Sequence, residues 1–133
     1  MINFKIELLF FYISVMVKLL VSGYRNYSDF NNIELSISQL LGDEKDVTII
    51  HGGCYGVDST ADQIADKHGF KKQVFNADWS KGKSAGPIRN KRMIVEGKPD
   101  YGLVFLSKHS IGTRNMVKLL VKYRIPHRII EID

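Results

Sequence analysis

Five short apolar runs punctuate the chain: KLLVSG at 18–23, VTIIHG at 47–52, KQVFNA at 72–77, GLVFLS at 102–107 and HRIIEI at 127–132. Each has strand length and is rich in Val, Ile, Leu or Phe, the composition of strands buried in a sheet. Four segments with helical spacing separate them, near 29–41, 57–68, 87–96 and 113–124. The second has the clearest period, with Val57, Ala61, Ile64, Ala65 and His68 on one face. Gly69 supplies its stop. In the third, Pro87 suits the first helical position and Gly97 falls just past the end. This alternation predicts an α/β fold of three layers: a mostly parallel sheet of about five strands with helices on both faces.

Such sheets bind ligands outside the carboxyl ends of their strands, so the strand-to-helix loops matter most. These loops read SGYRNYSD, HGGCYGVD, ADWSKGKSAGP and LSKHSIGT. They hold the glycine clusters, the only tryptophan and several cations. The helix-to-strand loops GDEKD, HGFK, GKPD and RIPH are ordinary polar turns. The contrast places a candidate site on one edge of the sheet without appeal to any single motif.

Length and charge narrow the classes. The chain has 133 residues, which suits one domain with a real core. The net charge of +5 favours an anionic partner, with nucleotide, nucleic acid and acidic membrane all qualifying. Cys54 is the only cysteine, so no internal disulfide forms, and a reducing cytoplasmic setting is the simpler reading. Residues 1–15, MINFKIELLFFYISV, are apolar, but Glu7 interrupts the run and no small-x-small cleavage site follows. The stretch from Leu8 to Val17 is too short to span a bilayer. Residues 1–15 are therefore read as an added helix or a mis-assigned start, with a strand as runner-up, and residues 16–133 as the domain. No membrane partner is expected, and self-association stays open.

The loops carry the candidate chemistry. GGCYG leaves a strand and opens a helix, where backbone N–H groups bind anions and bare glycines let a phosphate approach. A tight turn needing positive φ explains the same residues, and both readings stay open. Asp58 fits a helix N-terminus favoured by the dipole better than it fits a catalyst. His51 and Cys54 read as packing or loop residues, since zinc would need more His and Cys partners. No metal or cofactor is expected. In WSKGKSAGPIRNKRM, the cations Lys81, Lys83, Arg89, Lys91 and Arg92 gather at a helix N-terminus, the end that disfavours them. A bound anion explains that placement, and Arg89 is the first choice for a bidentate phosphate contact. On this reading Arg89→Ala keeps the fold with equal or better stability. In SIGTRNM, Gly112 is expected to make the turn, Thr113 to cap the helix and Arg114 to sit at its start. Upstream, Arg25, Tyr24 and Tyr27 follow Gly23, and either these tyrosines or Trp79 can stack on a base or pack in the core.

LLVSGYRNYSD, HGGCYGVD, NADWSKGKSAGPIRNKRM and GTRNM occur in this order and spacing. Together they resemble the YspA-like branch of the SLOG superfamily, over about residues 17–133. That Rossmann-like group also contains the LOG cytokinin-activating enzymes and the DNA-processing protein DprA. The resemblance implies a nucleotide or nucleotide-derived ligand. It implies ligand contacts from Gly23, Arg25, Gly52, Gly53, Gly56, Asp78, Trp79, Arg89, Asn90, Gly112 and Thr113. LOG enzymes hydrolyse the N-glycosidic bond of a nucleoside monophosphate. Their R-K-x-x-M motif is similar to Arg89–Met93, with Asn90 in place of the lysine. Their P-G-G-x-G-T-x-x-E motif is similar to the stretch ending in Met116. There Gly112 and Thr113 match, Lys108, His109 and Ser110 replace Pro-Gly-Gly, and Met116 replaces the catalytic glutamate. A thioether cannot act as a base. The expectation is therefore a nucleotide-binding module. A LOG-like hydrolase is the alternative, with Arg89, Asp58 or Asp78 as catalytic candidates. DprA-like binding of single-stranded DNA is the second alternative.

Overall fold

The computed structural model describes residues 16–133, so the expected extension over residues 1–15 lies outside the described residues. The elements run β1 (Val17–Gly23), α1 (Phe30–Leu41), β2 (Val47–His51), α2 (Val57–His68) and β3 (Lys71–Val74). A 3₁₀ segment (Trp79–Ser84) then leads into α3 (Ala85–Val95), β4 (Tyr101–Leu106), α4 (Ile111–Lys122) and β5 (His127–Glu131). The strands form one parallel sheet in the order β3-β2-β1-β4-β5. Its centre is β1, β2 and β4, the most apolar runs, as burial on both faces demands. The edges are KKQV and HRIIE, whose charges suit a strand with one unpaired side.

Side chains alternate between faces with the period of two that extended backbone imposes. Val17, Leu19 and Val21 meet Ile33, Ile37 and Leu40 of α1 and Ile64 of α2 on one face. Leu20, Ile50 and Val104 meet Met93 and Ile94 of α3 and Met116 and Leu120 of α4 on the other. Among the described residues this gives the three expected layers of a Rossmann-like fold. No helix among them is long and apolar enough to cross a membrane.

The strand order has a consequence for ligands. From β1 the chain winds outward through β2 to β3, then returns across the sheet to β4 and winds outward to β5. The loops leaving β1 and β4 therefore run to opposite faces, and the crevice between them is where open α/β sheets bind. These two strands pair from Leu19 with Tyr101 to Gly23 with Phe105.

Several boundaries differ from expectation. β3 ends at Val74, three residues early, because Phe75 turns into the core and Asn76 into the solvent. α3 begins at Ala85, which puts Pro87 third in the helix. That position is still within the first turn, where an N–H has no intrahelical acceptor to lose. α4 begins at Ile111, with Ser110 at the N-cap position but making no capping hydrogen bond through its side chain. Gly112 therefore makes no turn and Thr113 no cap; both are inside the first turn. His68, expected on the buried face of α2, is instead exposed and bonded to Glu34.

Candidate functional site

A cavity of about 350 Å³ opens at the β1/β4 crevice, at the small end of the range of roughly 300–1,000 Å³ for ligand sites. The loops after β1, β2 and β4 supply three of its walls and α3 supplies the fourth. The fold brings eight of the expected residues to it: Gly23, Arg25, Gly52, Asp58, Arg89, Asn90, Gly112 and Thr113. Gly53, Gly56, Asp78 and Trp79 do not line it. Asp78 instead starts the 3₁₀ segment, accepting from the Ser80 backbone at 3.2 Å and the Ser80 hydroxyl at 2.5 Å. The Ser80 hydroxyl lowers its pKa. Trp79 is exposed and its ring lies over Gly86.

The glycine turn after β2 answers mainly to the protein's own atoms. A Cβ on Gly52 would meet the Arg89 guanidinium at 2.6 Å, and one on Gly53 would meet the Asn76 side-chain oxygen. One on Gly56 would meet the Arg25 carbonyl. Gly53 and Gly56 also have φ of +73° and +78°, where a side chain is strained. The first three backbone donors of the turn are engaged. Gly52 and Cys54 donate to Asp58 Oδ2 at 3.1 and 3.2 Å. Gly53 donates to His51 Nδ1 at 3.0 Å. That bond makes Nδ1 an acceptor, so the ring carries its proton on Nε2 and donates it to Asp62 at 2.7 Å.

Asp58 is thus more than a helix-dipole residue: it is buried and ties the turn together. Burial pushes its pKa up, against the two backbone donors and the nearby Arg89 charge, which lower it.

Arg89 projects from α3 and is only 8% exposed. Its Nε donates to Asn90 Oδ1 at 2.9 Å, and its Nη1 donates to the Gly52 carbonyl and lies 3.6 Å from Cys54 Sγ. Nη2 has no hydrogen-bond partner among the described residues, so this donor is the one left for a ligand. Asn90 is committed elsewhere, because its Nδ2 bridges to the Gly112 carbonyl at 3.2 Å and Asn115 Oδ1 at 3.0 Å. It braces α3 against the start of α4.

That start also faces the cavity, through Ser110, Ile111, Gly112 and Thr113. Ser110 makes no side-chain cap, since its hydroxyl accepts from the Ser107 backbone at 3.1 Å. The first-turn N–H groups thus keep their partial positive charge for an anion. Arg114, next along the helix, is exposed and reaches back to the Lys108 carbonyl. Met116 is fully buried in the core between α4 and the sheet, away from the cavity lining.

Tyr24, Asn26 and His109 also line the cavity. The sequence points to these loops but singles out neither Asn26 nor His109 as a ligand contact. The available signal was membership of the loops after β1 and β4, and it needed the strand order to be decisive.

Residues 17–82, the stretch from β1 into the 3₁₀ segment, match the model of the YspA, cpYpsA-related SLOG family. The Gene 61 protein of Mycobacterium phage D29 is 32% identical over 120 residues, covering 84% of this chain and 94% of that one. DNA processing protein A (DprA) from Streptococcus pneumoniae has a similar fold, with a TM-score of 0.53 at 17% identity, over 85% of this chain. This chain spans 58% of that larger protein. The family match begins at the first strand, and the phage relative extends the likeness along nearly its own whole length: the chain belongs to the YspA, cpYpsA-related SLOG family.

Proposed function

We propose that the chain is a binding module for a nucleotide or nucleotide-derived ligand, held at the β1/β4 crevice with its phosphate between Arg89 and the first turn of α4. The observation that carries this reading is Arg89, a guanidinium nine-tenths buried in a cavity wall beside an uncapped helix N-terminus. Burying a cation is costly unless it is paired, and here its hydrogen bonds go only to neutral partners at Gly52, Asn90 and Cys54, with the Asp58 carboxyl nearby but not bonded to it. A phosphate would add a direct, charge-assisted partner at the free Nη2, one contact rather than the bidentate pair expected from the sequence. Within this reading the glycine turn shapes the site but does not hold the phosphate.

Calorimetric titration with AMP, ADP and ADP-ribose tests the reading on the wild type and on Arg89→Lys and Arg89→Ala. Affinity should fall by about one to two orders of magnitude in Arg89→Ala. Lys118→Ala, on the exposed side of α4, is the control. Arg124 is unsuitable as a control because its φ is +57°, so alanine there adds strain. Equal affinities in the wild type and Arg89→Ala would remove Arg89 from the role.

One observation favours nucleic acid as a second reading. Trp79, Lys81, Lys83 and Lys91 are all exposed around the start of α3, and an aromatic among cations suits a single strand. Binding of an unstructured oligonucleotide that weakens steeply with salt and is lost in Trp79→Ala would support it.

A further inference from the structure

We infer that Tyr24 and His109 form the two walls of a nucleobase slot at the mouth of the cavity. The inference rests on the nucleotide reading above and adds to it an orientation, with phosphate toward Arg89 and base toward the β1 and β4 loops.

Tyr24 follows β1 and His109 follows β4, the neighbouring strands at which the sheet reverses its winding. Both rings line the cavity, with centroids 6.4 Å apart and planes 36° from parallel. That arrangement is neither a close stack nor an edge-to-face pair. Stacked bases repeat every ~3.4 Å, so a base between two rings needs ~6.8 Å, slightly more than the gap found.

The two walls differ in rigidity. The Tyr24 backbone donates to the Phe105 carbonyl at 3.2 Å, and its own carbonyl accepts from Tyr27 at 3.1 Å and Val57 at 3.4 Å. Its hydroxyl accepts from Asn26 at 3.2 Å. His109 is anchored through its backbone N–H, which donates to the Ser107 hydroxyl at 3.1 Å, while the residue itself is exposed. Exposed side chains change rotamer in picoseconds to nanoseconds. A small outward turn of His109 therefore opens the gap to a base's thickness while Tyr24 stays in place. Trp79, offered by the sequence beside Tyr24 and Tyr27, does not line the cavity and is not needed.

The slot predicts a preference that a phosphate site alone would not have. AMP and ribose 5-phosphate share the sugar phosphate and differ only in the base. Calorimetric titration of the intact chain should find AMP bound roughly ten- to a hundredfold more tightly, the usual worth of stacking one base. Tyr24→Ala and His109→Ala should each lose much of that preference and leave ribose 5-phosphate affinity unchanged. Tyr55→Ala, an exposed tyrosine outside the cavity lining, should leave both unchanged. The His109 ring protons of the wild type should move upfield with AMP and not with ribose 5-phosphate, a readout that needs no variant. If the wild type binds both compounds equally, or if both variants keep the preference for AMP, the slot is wrong and the phosphate site stands. If it binds neither, the nucleotide reading and the slot fall together.

Discussion

At Gly56 a methyl group would lie 2.3 Å from the Arg25 carbonyl oxygen, in a backbone conformation that already excludes side chains. Gly56→Ala should therefore cost about 3 kcal/mol or more in urea unfolding, from strain and overpacking together. Gly112→Ala is the opposite case. Nothing lies within 4 Å of its added Cβ, and the residue is helical, so stability should rise by about 0.5–1 kcal/mol. A simultaneous fall in nucleotide affinity would show that its bareness serves the ligand. These two glycines look alike in the sequence, because spacing reveals that a loop is tight but not what crowds it. Asp58 was legible only as a helix-start acid, because its burial depends on the β2 turn folding back over it. Its carboxyl is raised from the ordinary 3.8 by burial. A raised folded pKa gives a contribution that is complete in acid and lost as pH rises through the folded value. Asp58→Asn should thus melt at or above the wild-type temperature at about pH 8, with the lead shrinking toward about pH 4. A constant difference across that range would argue against a burdened carboxylate.

The helices were legible because their apolar residues recur with helical period, and the strands because theirs run together. Helix starts were not. Pro87 and Gly112 look like boundary markers in the sequence, yet each falls inside a first turn, where such residues are also tolerated. What joins the elements is longer in range than any spacing. Arg89 ties α3 to the β2 turn, and Asn90 ties α3 to α4. Arg89→Ala was expected to be neutral or stabilising from the helix dipole alone. It should instead cost about 1–3 kcal/mol in urea unfolding, because it leaves the Gly52 carbonyl and Asn90 Oδ1 without their donor. Asn90→Ala should cost a similar amount and should also weaken nucleotide binding, although its amide is already spent on protein partners. Unchanged affinity in a folded Asn90→Ala chain would mean that the start of α4 needs no brace.

At the scale of the molecule, alternation gave a parallel sheet but no strand order. Order decides which loops become neighbours, so the pairing of Tyr24 with His109 could not be read from residues 85 apart in nothing but sequence. Charge was legible in amount and only partly in place. Of the cations before and within α3, Arg89 is buried in the cavity wall, Arg92 pairs with Glu96, and Lys81, Lys83 and Lys91 stay exposed. Met116, which stands where the resemblance to LOG enzymes implies a glutamate, lies in the core. Asp58 is the acid in the cavity wall, with its Oδ2 occupied by two backbone donors. No release of ribose 5-phosphate from AMP is expected on this basis. Turnover on the order of 1 per second or more would restore the hydrolase alternative, with Asp58→Asn as the first variant to assay.

The return of the chain across the sheet divides it into two lobes of sequence that share the β1/β4 ladder and both faces of the core. Residues 16–84 build β1, α1, β2, α2, β3 and the 3₁₀ segment, and residues 85–133 build α3, β4, α4 and β5. The cavity takes Tyr24, Gly52 and Asp58 from the first lobe and Arg89, Asn90 and His109 from the second. Lys81 and Lys83 sit exposed on the short span between them, where trypsin can reach. A chain nicked there should remain a pair of fragments held by the β1/β4 pairing and the shared core, and a nucleotide in the crevice would be the rivet through both. Its presence should slow their separation in proportion to how tightly it is held, which turns limited proteolysis followed by dilution into a ligand screen that needs no prior guess at the ligand.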